Sequence, residues 1–274
     1  MRSIDYSMRK PSSKIFDLSG RAVILTGAAG LLGAQYADGL SQVGANVVLT
    51  DVNYSRCKKI AKDLESKYNV TPLAIKLDIT NQESVKKMVS IVLKKFKKID
   101  ILVNNAAFNN RKKNKSAPFE KFLLSTWNKM LSVNLTGMFL CTKEVGRVML
   151  RQKHGVIINI GSIYGMVGAD QRIYGKSGIN SSIAYATTKS GVLNFTRYLA
   201  AYWNRTGIRV NSLSLGGVEN NQDSDFIKNY SYRTILGRMA HKDEYVGALL
   251  FLASDASSYV TGSNLVVDGG WTAW

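Results

Sequence analysis

The sequence has few of the residues that build disulfide frameworks, metal sites and membrane spans. Its 274 residues include two cysteines and two histidines, and no Cys/His pair has the spacing of a metal site. We therefore expect neither a structural disulfide nor a bound metal. No apolar run reaches the ~18 residues of a membrane span, and the first residues lack the apolar stretch of a signal peptide. These absences predict a cytoplasmic protein that does not contact a membrane.

Acidic residues are also scarce, with 19 Asp and Glu against 37 Lys and Arg, for a net charge of +18. Such a chain can bind nucleic acid or an acidic protein. The lysines are dispersed over the polar faces of predicted helices, however, which is typical of a solvated surface. We therefore expect no nucleic-acid partner. One loop holds a tight basic cluster, which either borders the entrance for an anionic substrate or is simply solvated: Arg111, Lys112, Lys113 and Lys115.

Short apolar runs alternate with amphipathic stretches along the chain. Runs buried on both faces are typical of a parallel sheet. Strands are predicted at 22–26, 46–50, 73–77, 99–103, 156–160, 208–213 and 265–267, and helices at about 55–67, 82–95, 119–152, 182–204 and 242–253. This alternation predicts an α/β fold: a single Rossmann-like doubly wound parallel sheet with helices on both faces. Residues 1–19 are predicted to form an arm, and 20–274 one domain.

A glycine-rich turn follows the first predicted strand and opens a helix. Its Gly27, Gly30 and Gly33 permit close backbone approach, and the helix N–H groups can face a phosphate. Asp51, at the end of the second strand, suits a carboxylate that bonds the 2′-hydroxyl of an adenosine ribose. Alternatively, Asp51 only caps the next helix. No Arg or Lys lies in the turn to accept a 2′-phosphate, so we expect NAD rather than NADP.

A Tyr-x-x-x-Lys pair near the start of a predicted helix is the candidate proton-transfer group. Tyr185 and Lys189 lie one turn apart on one helix face, and a nearby ammonium favours the phenolate form of a tyrosine. Ser162, just past a strand end, can donate a hydrogen bond to a substrate oxygen. Together they could move a proton to or from an alcohol or ketone. Tyr174 is a competitor, but Gly178 stands where its lysine would be.

Neither histidine is assigned a catalytic role. His154 is predicted at a helix end, where a cation suits the helix dipole. His241 is predicted in a polar loop between residues 214 and 241.

These motifs occur in the order found in the short-chain dehydrogenase/reductase family, which the chain resembles from about residue 18 to its end. The matching segments are Thr26-Gly27 to Gly33, Leu77-Asp78-Ile79-Thr80, Asn104-Asn105-Ala106-Ala107, Val133-Asn134-Leu135, Ser162, Tyr185-x-x-x-Lys189, Arg209-Val210-Asn211 and Val267-Asp268-Gly269-Gly270. The resemblance implies an NAD-dependent oxidoreductase that interconverts an alcohol and a ketone. It also implies a homodimer or homotetramer.

The resemblance assigns roles to individual residues. The implied catalytic residues are Asn134, Ser162, Tyr185 and Lys189, with Asn134 holding a proton-relay water. The implied cofactor-binding residues are Gly27, Gly30, Leu31, Leu32, Gly33, Asp51, Val52, Asp78, Ile79, Asn105, Ala106, Tyr185, Lys189, Gly216 and Val218. The chain departs from the family in the spacing of its glycines, in Leu215 where a proline is usual, and in the long gap of 23 residues from Ser162 to Tyr185.

The two loops implied to face the substrate, 163–181 and 214–241, are rich in polar residues. Polar groups suit a polyhydroxylated ligand, so we expect a sugar, either nucleotide-activated or acidic, in surface-glycan biosynthesis. In the first loop these groups are Tyr164, Asp170, Gln171, Arg172, Tyr174, Lys176, Ser177 and Asn180. The loops resemble the branch of the family found in flagellin-modification and nonulosonic-acid pathways. The alternatives are an enzyme like 3-oxoacyl-[acyl-carrier-protein] reductase and a nucleotide-fold binding protein that uses its basic surface.

Overall fold

A computed structural model describes residues 14–109, 119–176 and 180–274 of the chain. Seven parallel strands form one sheet in the order β3-β2-β1-β4-β5-β6-β7. Their bounds are β1 Ala22–Thr26, β2 Asn46–Asp51, β3 Leu73–Lys76, β4 Ile101–Asn104, β5 Gly155–Ile160, β6 Ile208–Leu215 and β7 Asn264–Val267. Every residue of β1, β4 and β5 is buried, as expected for apolar strands covered on both faces. The predicted doubly wound sheet is confirmed.

Helices cover both faces of this sheet. Their bounds are α1 Leu31–Gln42, α2 Tyr54–Lys67, α3 Gln82–Phe96, α4 Leu124–Leu131, α5 Met138–Gln152, α6 Ile183–Tyr202, α7 Ser224–Tyr232 and α8 Val246–Ala253. One apolar core packs α1, α2 and α8 against the sheet, and a second packs α3, α5 and α6 against the opposite face. Within the described ranges, none of these helices combines the length and the apolar character needed to cross a membrane.

The helical pattern differs from the prediction in two places. Residues 214–241, expected to be a loop, contain α7, whose N-cap Asp223 accepts hydrogen bonds from the backbone N–H groups of Asp225 and Phe226. The predicted helix over 119–152 begins only at Leu124 and widens into a π-helical turn over Ser132–Gly137. That turn carries Asn134, whose side chain bonds the backbone of Phe108 across the loop after β4. A tertiary contact of this kind is invisible in a local pattern.

The first described residues contact the domain, and the predicted arm over residues 1–19 stays a prediction. Leu18 is buried in the core on the α1 side of the sheet, and its N–H donates to the carbonyl of Val43. Phe16, two residues earlier, is exposed. Residues 1–13 lie outside the described part of the chain.

The amino-terminal edge of the sheet carries a charged cluster. Arg21 Nη1 lies 2.6 Å from His154 Nε2 and 3.4 Å from Asp100 Oδ1. Burial, and then the charge of Arg21, lower the pKa of His154, with Arg209 acting in the same direction and Asp100 and Asp255 opposing it. A guanidinium only donates hydrogen bonds, so Nε2 is the acceptor and the ring is neutral. The expectation of a cation at this helix end is therefore wrong.

The state of His154 predicts a pH dependence of stability. Because its folded-state pKa lies below the ordinary value of ~6.5, the unfolded chain takes up this proton first as the pH falls. The contribution of His154 to stability is therefore complete above about pH 6.5 and is lost as the pH falls towards the folded-state pKa. We expect His154→Gln, which keeps an acceptor for Arg21 but does not titrate, to have a flatter profile of melting temperature between about pH 7.5 and pH 5.5. Parallel profiles for the two proteins would contradict this.

Candidate active site

A cavity of about 650 Å³ lies at the carboxyl ends of the strands. It is lined from the turn after β1, the end of β2 and the segments after β3, β4, β5 and β6. The strand order reverses between β1 and β4, and ligands of open α/β sheets bind at such a switch point. All fifteen residues expected to bind the cofactor line this cavity, as do Ser162, Tyr185 and Lys189.

The glycine turn is shaped for close backbone approach. Gly27 has φ +67°, and a Cβ there would lie 2.7 Å from the Cα of Ala106. A Cβ on Gly33 would lie 2.2 Å from the carbonyl oxygen of Gly27, so no side chain fits at either position. Gly30 is the N-cap of α1 and offers no side-chain cap, and no acidic residue occupies the first turn. The backbone N–H groups of the first turn of α1, which an α-helix leaves without an intrahelical partner, suit an anion such as a pyrophosphate.

Asp51 reaches back to this turn. Its Oδ2 accepts a hydrogen bond from the backbone N–H of Ala29 at 3.2 Å, and its Oδ1 accepts one from Asn53 at 2.9 Å. Asn53, not Asp51, is the N-cap of α2, since its side chain accepts from the N–H of Arg56. The alternative in which Asp51 merely caps the helix is therefore wrong. The carboxylate lies instead in the cavity wall beside Val52.

The segments after β3 and β4 complete this end of the cavity. Thr26 Oγ1 accepts hydrogen bonds from the N–H groups of Asn105 and Ala106, and Asn105 Nδ2 donates to the carbonyls of Thr26 and Gly27. These bonds fix the glycine turn to the end of β4. Hydrogen bonds from Thr80 lower the pKa of Asp78, and the charge of Lys129 acts in the same direction. Lys129 also lines the cavity, and the sequence motifs did not single it out.

The proton-transfer residues meet at the other end. Ser162 follows β5 and is buried, and its Oγ accepts from the N–H of Tyr164 at 3.3 Å. Because α6 begins at Ile183, Tyr185 and Lys189 fall in its first two turns and face the end of β5. Lys189 Nζ donates to the carbonyl of Ile160 at 2.6 Å and lies 5.6 Å from the centre of the Tyr185 ring.

Asn134 lies beside the cavity rather than in its described lining. Its Oδ1 accepts from the N–H of Phe108 at 2.7 Å, and its Nδ2 donates to the carbonyl of Phe108 and to Thr188 Oγ1. Thr188 Oγ1 in turn donates to the carbonyl of Tyr185. Both hydrogens of the Asn134 side-chain amide thus bond other residues of the protein. A relay water would therefore have to donate a hydrogen bond to another acceptor atom of Asn134. Its relay role stays a prediction.

The family model described as "Enoyl-(Acyl carrier protein) reductase" matches residues 27–272, which span the glycine turn, the cavity wall and the Tyr-x-x-x-Lys pair. The chain belongs to the short-chain dehydrogenase/reductase family. It is an oxidoreductase of the class that acts on CH–OH groups.

Curated relatives of this dehydrogenase/reductase differ in function. The chain is 32% identical over 257 residues to 3-oxoacyl-[acyl-carrier-protein] reductase FabG of Aquifex aeolicus, which covers 92% of this chain and 98% of the relative. It is 30% identical over 254 residues to the post-translational flagellin modification protein A of Campylobacter coli, covering 93% and 99%. Since two branches match at similar identity, these likenesses show the family and not the branch.

Solved structures agree with the fold. A gluconate 5-dehydrogenase from Burkholderia cenocepacia, in complex with NADP and tartrate, has a TM-score of 0.86 and 32% identity over 95% of this chain and 98% of its own. A short-chain dehydrogenase from Leptospira borgpetersenii with bound NAD+ has a TM-score of 0.81 and 37% identity over 99% and 100%.

The substrate end of the dehydrogenase/reductase is less polar than expected, although Tyr164 and Tyr174 of the expected loop residues do line it. Its described lining is largely aromatic and apolar, namely Ile163, Tyr164, Tyr174, Phe226, Tyr230 and Met239, with Asn220 and Gln222 as polar members. Asp170 and Arg172 pair with each other outside this lining, and Gln171 bonds the backbone of Ser181. Phe226 and Tyr230 lie one turn apart on α7, a spacing that could have revealed the helix in the sequence.

Some expected groups cannot be placed. The basic cluster at Arg111, Lys112, Lys113 and Lys115 lies within residues 110–118, and Ser177 within 177–179, both outside the described residues. A role of the cluster at the substrate entrance therefore stays a prediction.

The geometry distinguishes the two tyrosines in the cavity. Lys189 lies beside the ring of Tyr185, whereas Tyr174 packs on the ring of Phe226 with centroids 5.2 Å apart. We expect Tyr185→Phe to lower kcat by roughly 10²- to 10⁴-fold, the usual contribution of a general acid–base. NAD affinity, measured by fluorescence titration, should change little. Tyr174→Phe should lower kcat far less, and the opposite ranking would make Tyr174 the acid–base.

Proposed function

We propose that this protein is an NAD-dependent oxidoreductase that interconverts a secondary alcohol and a ketone on a sugar or nucleotide-activated sugar used in surface glycans. The observation that carries the proposal is one cavity with Ser162, Tyr185 and Lys189 at one end and the glycine turn with Asp51 at the other. The sugar assignment is supported by the similarity to the flagellin modification protein and to the gluconate dehydrogenase bound to tartrate.

The residues at the end of the cavity that holds the glycine turn and Asp51 fit a nicotinamide dinucleotide. The free N–H groups of the α1 N-terminus suit its pyrophosphate, Asp51 suits the hydroxyls of the adenosine ribose, and the remaining wall suits flat rings. The proposed binding residues are Gly27, Gly30, Leu31, Leu32, Gly33, Asp51, Val52, Asp78, Ile79, Asn105, Ala106, Tyr185, Lys189, Gly216 and Val218. When bound, the nicotinamide supplies the hydride acceptor for oxidation or the hydride donor for reduction.

The chain's own residues hold and move the proton. Ser162 Oγ accepts from the N–H of Tyr164, which leaves its hydrogen free to bond the substrate oxygen. The phenolate of Tyr185 takes the proton from the substrate hydroxyl in oxidation, and the phenol returns it in reduction. Lys189 donates one hydrogen to the carbonyl of Ile160, so its charge stays beside the Tyr185 ring and stabilises the phenolate.

Two alternatives have specific support. The aromatic and apolar substrate end, together with the similarity to FabG, favours an acyl thioester carried on an acidic carrier protein. The net charge of +18 favours a binding protein that retains the nucleotide fold. The second alternative does not need the intact set of Ser162, Tyr185 and Lys189, and we therefore place it last.

The deciding experiment compares two assays. A thermal-shift screen with NAD and a panel of sugars and nucleotide sugars first selects the ligands that stabilise the protein. Rates with NAD and the selected sugars are then compared with rates for NADPH and an acetoacetyl thioester. We expect turnover only in the first assay. Fast thioester reduction without sugar oxidation would assign the protein to the acyl-carrier branch, and no turnover beside salt-dependent RNA binding would favour the binding protein.

The cofactor preference gives a separate prediction. Among the described residues that line the cavity the cations are Lys129, whose charge acts on Asp78, and Lys189, which donates to the carbonyl of Ile160. A 2′-phosphate beside Asp51 would bring like charges together, which costs several kcal/mol, so kcat/KM should favour NAD by at least about tenfold. Asp51→Ala should lower the ratio of kcat/KM with NAD to kcat/KM with NADP. Asp78→Ala is the matched control, because loss of this second carboxylate should weaken both cofactors alike. An equal or higher kcat/KM with NADP in the unmutated protein would overturn the prediction.

A homodimer or homotetramer also stays a proposal. Phe139 on α5 and the stacked pair Tyr198 and Tyr202 on α6 are exposed aromatic residues on neighbouring helices, which supports association of two copies there. A monomer in light scattering at micromolar concentration would contradict it.

A further inference from the structure

Three segments that are far apart in sequence meet at the substrate end of the cavity: the described part of the insertion after β5 (residues 163–176), helix α7 and the C-terminal residues. Their aromatic rings form a continuous series. The ring centroid of Tyr174 lies 5.2 Å from that of Phe226, which lies 5.9 Å from that of Tyr230. Tyr230 stacks on Trp271 at 4.3 Å with an interplanar angle of 25°. The insertion, the helix and the C-terminus therefore pack as one unit.

This series closes on itself through an ion pair. The guanidinium of Arg233, at the end of α7, lies 5.5 Å from the centre of the Trp271 ring, and its Nε lies 3.4 Å from Asp170 Oδ2. Asp170 in turn caps the short 3₁₀ turn that ends in Tyr174, since its Oδ1 accepts from the N–H of Arg172 at 3.0 Å. The contacts thus lead from Tyr174 through α7 and the C-terminus back to the turn that carries Tyr174.

The residues of this closed series of contacts form two groups. Tyr174, Phe226 and Tyr230 line the cavity together with Tyr185, whereas Asp170 and Arg233 lie behind them. Tyr174, Phe226 and Tyr185 also pack against the same apolar cluster that contains Tyr230 and Trp271. The first group places aromatic side chains in the cavity wall near Tyr185. The second group holds those side chains in place.

An aromatic wall favours a ring-shaped substrate over a flexible open-chain one. A preorganised aromatic surface contacts the whole face of a ring at once, and each aromatic contact adds to the apolar area that is buried. A flexible open chain must lose rotamer freedom to lie along the same wall, which reduces its affinity. Asn220, an exposed residue of the cavity lining, can bond hydroxyls at the edge of such a ring.

We propose that Tyr174 and Phe226 form an aromatic wall that binds the face of a ring-shaped polyol beside Tyr185, and that Arg233 is a positioning residue that holds this wall through Asp170 and Trp271. The proposal rests on the proposed function, because the ring carries the alcohol that is oxidised. It narrows the substrate class to cyclic polyols rather than open-chain ones.

The test uses cis-1,2-cyclohexanediol and 2,3-hexanediol, which have equal numbers of carbons and hydroxyls. With NAD, the unmutated protein should have the higher kcat/KM for the cyclic diol. Tyr174→Ala should reduce kcat/KM for the cyclic diol by roughly threefold to tenfold, mainly through KM, with a much smaller effect on the open-chain diol. Tyr174→Phe keeps the aromatic face and should retain most of the preference. If the unmutated and Tyr174→Ala proteins prefer the cyclic over the open-chain diol to the same extent, the proposed role of Tyr174 in binding the ring is wrong.

Arg233 is tested by a split between KM and kcat. Arg233→Met should raise KM for the cyclic diol several-fold with little change in kcat, and Arg233→Lys, which keeps the cation over Trp271, should recover part of the loss. Arg172→Met is the matched control, because Arg172 binds the same carboxylate but is exposed and does not contact Trp271. A loss of kcat that is equal for both diols and parallels a lower melting temperature would show a structural role only.

A binding measurement separates this proposal from the proposed function. If the unmutated protein oxidises neither diol, the assignment as an alcohol oxidoreductase fails for this class, and the wall is judged from affinity alone. Competition titrations by saturation-transfer NMR on the Tyr185→Phe protein with NAD give the affinity of each diol. Tighter binding of the cyclic diol, lost in the Tyr174→Ala/Tyr185→Phe double variant, supports the wall. Equal or undetectable affinities overturn it.

Discussion

The contact between the Lys189 ammonium and the carbonyl of Ile160 is the interaction on which the candidate active site depends. Lys189 is buried, and a buried charge is stable only where polar groups replace its lost water. The carbonyl at the end of β5 supplies such a group at 2.6 Å and ties the first turns of α6 to the sheet. The position of Tyr185 follows, because it lies one turn earlier on the same helix. The charge, the phenol and the strand end are thus one rigid arrangement.

Buried polar side chains hold this helix against its neighbours. Asn159 on β5 donates to Thr196 on α6 at 2.9 Å and accepts from Asn104 on β4, which also donates to Thr142 on α5. Closer to the cavity, Asn134 links the loop after β4 to α6 through Thr188. Hydrogen bonds have strict geometry, so they specify the position of α6 more sharply than apolar packing alone. The catalytic end is therefore fixed on rigid elements, whereas the substrate end is built from the insertion, α7 and the C-terminus.

Local patterns in the sequence predicted residues that the structure brings together in the wall of one cavity. Glycine spacing, the acidic residue at the end of β2 and the short motifs after β3 and β4 are each contiguous, and parallel strands bring their carboxyl ends to one edge. The substrate end was harder to predict. The polar side chains of the insertion suggested a polar wall, but Asp170 and Arg172 satisfy each other and Asp170 also pairs with Arg233. The lowered pKa of His154 was not predicted either, because it is caused by burial and by the charge of Arg21, which is remote in the sequence.

The sequence by itself determined the fold class, the glycine turn after β1 and the Tyr185 and Lys189 pair, because each depends on periodicity or on residues within a few turns of one another. Only the tertiary structure decided which side chains meet across segments. The aromatic series from Tyr174 to Trp271 joins residues almost a hundred positions apart, and the capping of α7 by Asp223 orients its middle members. Such contacts depend on how the helices and loops pack at the sheet edge, and no local pattern encodes that packing.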